Sequence, residues 1–356
     1  MEAAGVAGVE PTRARVLSLL AERWLFAFLA LETLYFCFAA EGFANPNSLQ
    51  ILLFYGVEIF LLAMAELFVI VTGGIDLSVG YVLGLASIVG TKLIGALAGA
   101  GVPPAAALAL GAALTLAVGI LPGLVNGWLV AYLDVPPFIA TFSMLGVCHG
   151  VSELIIEGVY AMGLPPLAAE LGSGHLLYYA PGAGMSFLAR PEVERGTEVW
   201  EIVPNVVVLA AVVIAALWFA LSRTRFGRHV YAVGGNRDAA LRAGIPVRRR
   251  LLAVYALSAG LASLAGLAYA LKYVSGKADA GAGSLLDSIA AVMIGGASMF
   301  GGSGTVGRTV AGCLVIAVLE LGLRMRGTPT FDKYVLVGVI LVGAVVIERW
   351  LPGKGR

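Results

Sequence analysis

The chain has few charged residues, cysteines and histidines for its length of 356 residues. Charged residues make up 13% of the sequence, against about 25% in soluble globular proteins, and hydrophobic residues make up 60%. The mean hydropathy is +0.93. Because apolar runs of about 20 residues recur from end to end, the sequence predicts an integral membrane protein without a large soluble domain.

The scarce residue types also exclude several kinds of site. Cys37, Cys148 and Cys313 lie in apolar segments without C-x-x-C spacing, and the three histidines show no ligand spacing, so we predict no disulfide framework and no metal site. The chain has no G-x-x-x-x-G-K-[ST] loop and cannot hydrolyse ATP by that chemistry. It also has no nucleophile–base pair, so we do not expect an enzyme. The net charge of +1 gives no reason to expect a nucleic-acid partner.

Proline, glycine and charged residues divide the apolar sequence into ten predicted spans. They lie near residues 22-41, 49-71, 77-98, 104-121, 137-158, 202-221, 251-272, 284-299, 307-324 and 331-348. Residues 122-136 are too broken for a clean span and are predicted as a short helix with an extended turn. We therefore predict an all-α polytopic membrane protein, with residues 1-356 forming a single transmembrane domain of about ten helices with broken or re-entrant segments.

The distribution of charge predicts the orientation of these spans. Residues 222-250 carry eight arginines against one acid, which is typical of a cytoplasmic loop. Three arginines among the first 23 residues place the N-terminus on the same side, and ten spans return the C-terminus to it. The loop of residues 163-200 is then external, although Arg324, Arg326 and Lys333 also fall outside by this count. The glutamates of the external loop are Glu170, Glu192, Glu194 and Glu198.

Residues 71-80 place a carboxylate and two glycines inside a long apolar stretch. Asp76 at the middle of a membrane would cost about 2.5 to 3.5 kcal/mol on insertion scales. Gly73 and Gly74 free backbone groups that need partners in protein or water. Such a segment indicates a pathway through the membrane that is lined by protein. With straight spans, Asp76 lies near the cytoplasmic end and serves as a hinge or gate; with a broken helix, it lies near the midplane and contacts the substrate.

A weak internal repeat accompanies this segment. Val71, Thr72, Gly73, Asp76 and Gly80 align at a constant offset with a second set of residues after the seventh span. That second set is Val274, Ser275, Gly276, Asp279 and Gly283. Five spans on each side of the external loop start from opposite sides, as in the inverted repeats of many transporters. The sequence predicts a 5+5 inverted repeat, with coincidence in a chain of 47 glycines as the alternative.

The basic loop 222-250 contains a short helix with clear end signals. Asn236 suits an N-cap, Gly244 suits the left-handed position after the last turn, and Pro246 stops continuation. An ordinary cytoplasmic loop needs no such capped helix. We therefore predict a docking element for a cytoplasmic partner.

Four separate blocks resemble the permease family of ribose-, xylose- and galactose-type ABC importers, in the right order over about residues 45-345. The blocks are TGGIDLSVG at 72-80, NG at 126-127 with PPFIAT at 136-141, TRFGR at 224-228 with GGN at 234-236, and DSIAA at 287-291 with IGGASMFGG at 294-302. The resemblance implies a transmembrane permease subunit in a bacterial inner membrane, used as a homodimer or paired permease. It also implies an external sugar-binding protein and a separate ATPase subunit that grips residues 236-244, with no cofactor on this chain. Leu285 and the sequence of residues 319-326 depart from the family pattern, so the particular sugar is not implied.

Glu58 and Glu66 extend the predicted pathway along the second span. Eight residues correspond to about 80° around a helix, so both acids can face one side that leads to Asp76. Carboxylates suit the hydroxyl groups of a sugar; the alternative is that these acids pair with other groups between helices. The predicted pathway or gate residues are Glu58, Glu66, Gly73, Gly74, Asp76, Ser78, Asn126, Gly295, Gly296, Gly301 and Gly302. The predicted ATPase-coupling residues are Arg228, Gly235, Asn236, Arg237, Asp238, Ala239, Ala240, Arg242 and Gly244.

A second class of function stays open at this point. An ion-coupled secondary transporter of a small polar solute would also suit an inverted repeat and acids within the membrane. The capped helix in the basic loop argues against it. We therefore expect the permease subunit of an ATP-binding cassette importer that carries a monosaccharide or related polyol.

Overall fold

The computed structural model describes residues 10–156, 158–193, 199–328 and 330–350. The helices are α1 (Glu10–Ala39), α2 (Pro46–Val71), α3 (Val79–Gly99), α4 (Pro104–Gly119), α5 (Leu121–Tyr132), α6 (Pro137–Ile155), α7 (Pro166–Ser173), α8 (Asn205–Arg223), α9 (Arg225–Gly235), α10 (Arg237–Arg242), α11 (Val247–Tyr273), α12 (Ala282–Ile294), α13 (Val306–Met325) and α14 (Thr330–Trp350). The strands are β1 (His175–Ala180), β2 (Gly184–Phe187) and β3 (Trp200–Pro204).

Long apolar helices form most of the molecule. Among the residues that the structure describes, seven helices are long and apolar enough to span a membrane, with α4 and α5 counted as one helix from Pro104 to Tyr132. Pro122 lies in the first turn of α5, where its fixed φ and missing N–H are tolerated, so residues 122-132 are helical. The predicted polytopic helical architecture is confirmed.

The span expected at residues 284-299 is a half-length helix. α12 has 13 residues, about 20 Å at 1.5 Å per residue, against about 30 Å of hydrocarbon. Its core-facing residues are fully buried, including Ala290, Ala291 and Val292. A helix of this length needs a non-helical continuation to reach a membrane surface, and residues 295–305 supply it.

Glycines allow the helices around α11 to approach very closely. A Cβ on Gly266 of α11 would overlap the carbonyl oxygen of Leu83 on α3, and a Cβ on Gly123 of α5 would overlap the carbonyl oxygen of Tyr255 on α11. Small residues at such positions let membrane helices pack backbone against backbone. α11 consequently lies at the centre of the bundle, between α2, α3 and α5.

Two non-helical breaks begin at opposite ends of the bundle. The first break, residues 72–78, joins α2 to α3; the second, residues 274–281, joins α11 to α12. Gly302 N–H donates to the Val71 carbonyl at 2.9 Å, beside α9, whereas Gly276 and Ala161 pair near the opposite end. We refer to these ends as the α9–α10 end and the sheet end. This placement is what an inverted repeat requires, and the repeat itself stays a prediction.

The loop of residues 163-200 and the beginning of the span predicted at 202-221 contain a small sheet that the all-helical prediction did not include. After α7, three antiparallel strands pair in the order β2-β1-β3. β1 reads HLLYYA, and Gly182 and Gly184 adopt φ of +89° and +78° at the hairpin turn, a conformation that glycine reaches without strain. Glu194, Arg195 and Glu198 lie outside the described residues.

A histidine ties this sheet to the beginning of α2. The Nε2 atom of His175 lies 2.5 Å from the Gln50 side-chain amide, and Nδ1 lies 3.8 Å from Glu201. Burial lowers the pKa of His175 below its ordinary value of 6.5; Glu201 opposes this shift and Arg190 adds to it. The folded protein therefore favours the neutral imidazole.

Stability is expected to fall as the pH drops below about 6.5, because the unfolded chain then binds more protons at His175 than the folded chain does. Thermal unfolding of the purified protein in detergent, between about pH 8 and about pH 5, measures the effect. His175→Gln keeps a polar group beside Gln50 and should reduce the pH dependence. An unchanged dependence in that variant would assign it to other groups.

Candidate functional site

The first break holds a fully buried carboxylate. Asp76 is 0% exposed. Its Oδ1 accepts hydrogen bonds from the Ser78 backbone N–H at 3.1 Å and from the Ser78 hydroxyl, and its Oδ2 accepts one from the Ser258 hydroxyl at 2.8 Å. Hydrogen bonds to an ionised group are roughly twice as strong as neutral ones. Three of them replace much of the water that Asp76 loses on burial.

Neighbouring helices fix the shape of this break. Asn126 on α5 donates from Nδ2 to the Ser78 hydroxyl at 3.0 Å, and Thr141 on α6 donates to the Ile75 carbonyl at 3.2 Å. Together with Ser258 on α11, these bonds anchor the break to three helices besides α2 and α3. Ser258 was not predicted, because a single serine in an apolar helix carries no pattern that marks it.

The structure places Glu66 beside Asp76, whereas Glu58 lies elsewhere with a different partner. The Asp76 backbone N–H points to Glu66 Oε2 at 3.4 Å. Glu58 instead forms a buried ion pair with Lys272 at 2.9 Å, and Lys272 also donates to the Phe54 carbonyl at 2.7 Å. The two acids share the buried length of α2 but have different partners. Lys272 was missed, although an ionisable residue in a membrane helix is itself a signal.

Three chain segments meet at one point, namely the first break, the end of α9 and the loop before α13. We call this point the glycine junction and define it as Val71–Gly74, Gly234–Gly235 and residues 301–304. A Cβ on Gly234 would overlap the Val71 carbonyl oxygen and lie 2.6 Å from the Gly302 nitrogen. A Cβ on Gly301 would lie 2.9 Å from the Gly73 nitrogen. Tyr231 on α9 donates to the Gly304 carbonyl at 2.6 Å. Three chain segments therefore touch mainly through backbone atoms, with the Tyr231 hydroxyl as an added contact.

The predicted docking helix begins immediately after this junction. Asn236 caps α10, because its side chain accepts from the Ala239 N–H at 2.9 Å, and Gly244 adopts φ +78°. Ala240 packs inward against Ala131, Val233, Val247 and Leu251. The rest of the predicted set is exposed, namely Arg228, Gly235, Arg237, Asp238, Ala239 and Arg242. The segment thus presents a polar surface on a rigid base.

A second group of charged residues, some buried and some exposed, lies around α12. Lys333 on α14 pairs with Asp287 at 2.6 Å and with Glu320 at 3.1 Å, and Glu320 also pairs with Arg324 at 2.9 Å. Gly295 accepts a hydrogen bond from Arg308 Nε at 2.8 Å. Gly295 and Gly296 therefore lie at the end of α12, against α13, rather than beside Asp76.

A cavity of about 430 Å³ opens at the α9–α10 end of the first break. Its wall includes Gly73, Gly74, Tyr255, Phe300 and the residues 234–237. A Cβ on Gly74 would lie 2.6 Å from the Tyr255 hydroxyl, so this glycine lets the tyrosine close the inner wall. Asp76 lies behind that wall and does not line the cavity.

Comparison with known proteins identifies the family to which this arrangement belongs. The family model described as the permease component of the branched-chain amino acid transport system matches residues 48–345. The chain belongs to this permease family. The resemblance predicted from the four sequence blocks is confirmed, and the protein is a membrane-spanning transport subunit rather than an enzyme.

Several curated relatives are similar over most of their length. The ribose import permease protein of Escherichia coli K12 is 34% identical over 331 residues, covering 93% of this chain and 94% of the relative. The fructose import permease protein of Rhizobium meliloti is 34% identical over 287 residues, covering 81% and 73%. The xylose transport system permease protein of Haemophilus influenzae is 35% identical over 325 residues, covering 81% and 84%. No solved structure matches the chain.

Proposed function

We propose that this chain forms the membrane pathway of an ATP-driven importer for a monosaccharide or related polyol. The relatives named above are permeases for ribose, fructose and xylose, which supports a sugar as the transported solute. A binding protein outside the membrane delivers the solute, and a separate ATPase subunit supplies the energy. Two permease chains, identical or paired, enclose the pathway.

The observation that carries this proposal is the glycine junction. α10 begins at residue 237, three residues after Gly234. Gly234 in turn touches the Val71 carbonyl at the edge of the first break. A displacement of α10 is transmitted to the break without passing through flexible side chains, because the contacts join backbone to backbone. This arrangement suits a protein in which a partner at α10 controls access to a buried polar segment.

The α9–α10 end faces the cytoplasm in this proposal. Exposed arginines on α9 and α10, such as Arg228 and Arg242, agree with the enrichment of basic residues in cytoplasmic loops. The sheet end then faces outward, where β1–β3 and α7 meet the binding protein. Both termini lie on the cytoplasmic side.

Asp76 acts as part of a gate rather than as an open sugar contact. It is fully buried and hydrogen-bonded on both oxygens, and Gly74 and Tyr255 separate it from the cavity at the α9–α10 end. ATP-driven closure of the ATPase subunits moves α10 and opens the pathway outward under the docked binding protein. Hydrolysis of ATP returns the pathway to the cytoplasmic side.

Reconstitution of the permease with its ATPase and binding protein in proteoliposomes tests this function. We expect binding protein loaded with one sugar of a panel of pentoses, hexoses and polyols to stimulate ATP hydrolysis and sugar uptake together. Equal ATPase rates with loaded, empty and absent binding protein would contradict the proposal. Uptake that is lost on adding an ionophore at constant ATP would favour an ion-coupled transporter instead.

A further inference from the structure

Three buried oxygen atoms without partners lie around the first break. Within the described residues, Glu66 Oε1, Asn126 Oδ1 and Tyr255 Oη form no hydrogen bond. Glu66 and Asn126 are 0% exposed and Tyr255 is 1% exposed. Buried polar atoms in folded proteins nearly always have a partner, and leaving one unpaired is destabilising. Three such atoms on three different helices therefore point to a ligand between them.

The hydrogen bonds of the break place these residues at one site. Asn126 donates through Nδ2 to the Ser78 hydroxyl, which in turn donates to Asp76. Glu66 accepts from the Asp76 N–H through its other oxygen. The Tyr255 hydroxyl lies against Gly74, two residues before Asp76. Each unpaired oxygen thus belongs to a group already fixed in the wall of the break.

Hydrogen bonds stabilise the carboxylate of Asp76 much better than that of Glu66. Asp76 accepts three hydrogen bonds, whereas Glu66 accepts one at 3.4 Å. Among the residues that the structure describes, the ion pairs of buried acids on neighbouring helices are those of Glu58 with Lys272 and Asp287 with Lys333. A buried carboxylate without a partner is strongly unfavourable. Glu66 therefore needs either a proton or a positive charge close to it, and the unpaired oxygens of Asn126 and Tyr255 favour a cation.

We propose that the first break binds one monovalent metal cation of the size of sodium, coordinated by Glu66 Oε1, Asn126 Oδ1 and Tyr255 Oη. Hard cations take oxygen ligands of these kinds, and unwound helix ends coordinate such ions in other transporters. A single charge balances the carboxylate of Glu66, which lacks the three hydrogen bonds that Asp76 accepts. The cavity at the α9–α10 end reaches the outer side of the Tyr255 and Gly74 wall, so an ion that enters the cavity has only this wall to cross.

The bound cation joins α2, α5 and α11 across the break and stabilises its closed form. The site uses carboxylate, amide and phenol oxygens, so the absence of histidine and cysteine spacing in the sequence does not bear on it. The proposal goes beyond the transport function, because cation binding requires neither the solute nor the ATPase. Failure of the transport assay therefore leaves it standing, and its own test needs only the full-length permease.

Thermal unfolding of the full-length permease in detergent tests the site. Sodium chloride, potassium chloride, magnesium chloride and choline chloride are compared at equal ionic strength and constant pH, and sodium binding is measured with a radioactive tracer. We expect sodium to raise the unfolding midpoint above that in choline, because a ligand that binds only the folded protein stabilises it. Tracer binding should approach one ion per chain.

Variants distinguish this site from a general salt effect. Glu66→Gln should abolish tracer binding and the sodium response, whereas Glu32→Gln, which removes a different acid from a membrane helix, should leave both unchanged. Tyr255→Phe removes one ligand oxygen with little change in shape and should raise the half-saturating sodium concentration by about tenfold or more. It supplies the test if Glu66→Gln fails to fold.

Three results would overturn the proposal. The first is an equal unfolding midpoint in sodium and choline with no tracer bound. The second is stabilisation by low pH alone, which would mean that Glu66 carries a proton in place of the cation. The third is a sodium response that persists unchanged in both Glu66→Gln and Tyr255→Phe.

Discussion

Replacing Gly234 with alanine is expected to abolish ATP-driven uptake by the assembled transporter. The new Cβ would overlap the Val71 carbonyl oxygen and lie 2.6 Å from the Gly302 nitrogen. Both neighbours are backbone atoms and cannot rotate away, so the end of α9 must shift from the break. Overpacking of this kind costs about 1 to 3 kcal/mol, and the chain should still fold. Uptake in proteoliposomes should fall to the level seen without ATP.

The adjacent glycine supplies a matched control for this prediction. A Cβ on Gly235 meets nothing within 4 Å, so Gly235→Ala makes the same chemical change one residue away without the steric overlap. We expect near-normal uptake from Gly235→Ala and normal membrane insertion of both variants. If both variants lose uptake equally, the glycine junction is not the element that transmits motion from α10.

The sequence predicted the helical elements well because their signals are local. Apolar length places the beginnings and ends of most long helices, and the residues 236 and 244 mark the ends of α10 through cap chemistry that depends only on neighbouring backbone groups. Asp76 and its glycines stood out because lipid tolerates them poorly. These features need no knowledge of what lies across the bundle.

The partners of these residues could not be predicted in the same way. Glu58 and Glu66 lie on similar faces of α2, yet Glu58 lies opposite Lys272 and Glu66 lies opposite the first break. The sequence separation of more than 200 residues between Glu58 and Lys272 hides the pairing. The contacts of the glycine junction were equally hidden in the sequence, because the glycines of each of its three segments could also be explained by an ordinary turn.

The half-length α12 was also missed for a physical reason. Residues 284-299 are mostly apolar, with Asp287 as their one charged residue, and contain a glycine pair near their end, so apolar length alone favours a full span. Gly295 and Gly296 end the helix early, the latter at φ +79°, and the chain continues without regular structure to α13. Hydropathy reports how apolar a segment is and carries no information on whether protein or lipid surrounds it.

Replacing Lys272 with methionine is expected to destabilise the permease by about 3 to 5 kcal/mol, because the change leaves Glu58 as an unpaired buried carboxylate. The side chains of Lys272 and Glu58 are 0% and 7% exposed, so water cannot take the place of the lost partner. The free energy of unfolding, measured in detergent mixtures with increasing sodium dodecyl sulfate, should fall accordingly.

Two further variants show whether the buried charge is the cause. The double variant Glu58→Leu, Lys272→Met removes both charges and should recover most of the lost stability, because apolar replacement of a whole buried pair is often neutral or stabilising. Arg324→Met breaks the pair with Glu320, whose side chains are 55% and 29% exposed, and should cost less than about 1 kcal/mol. A double variant no more stable than Lys272→Met would assign the loss to the contacts of the Lys272 ammonium group with the Phe54 and Tyr55 rings rather than to the unpaired carboxylate of Glu58.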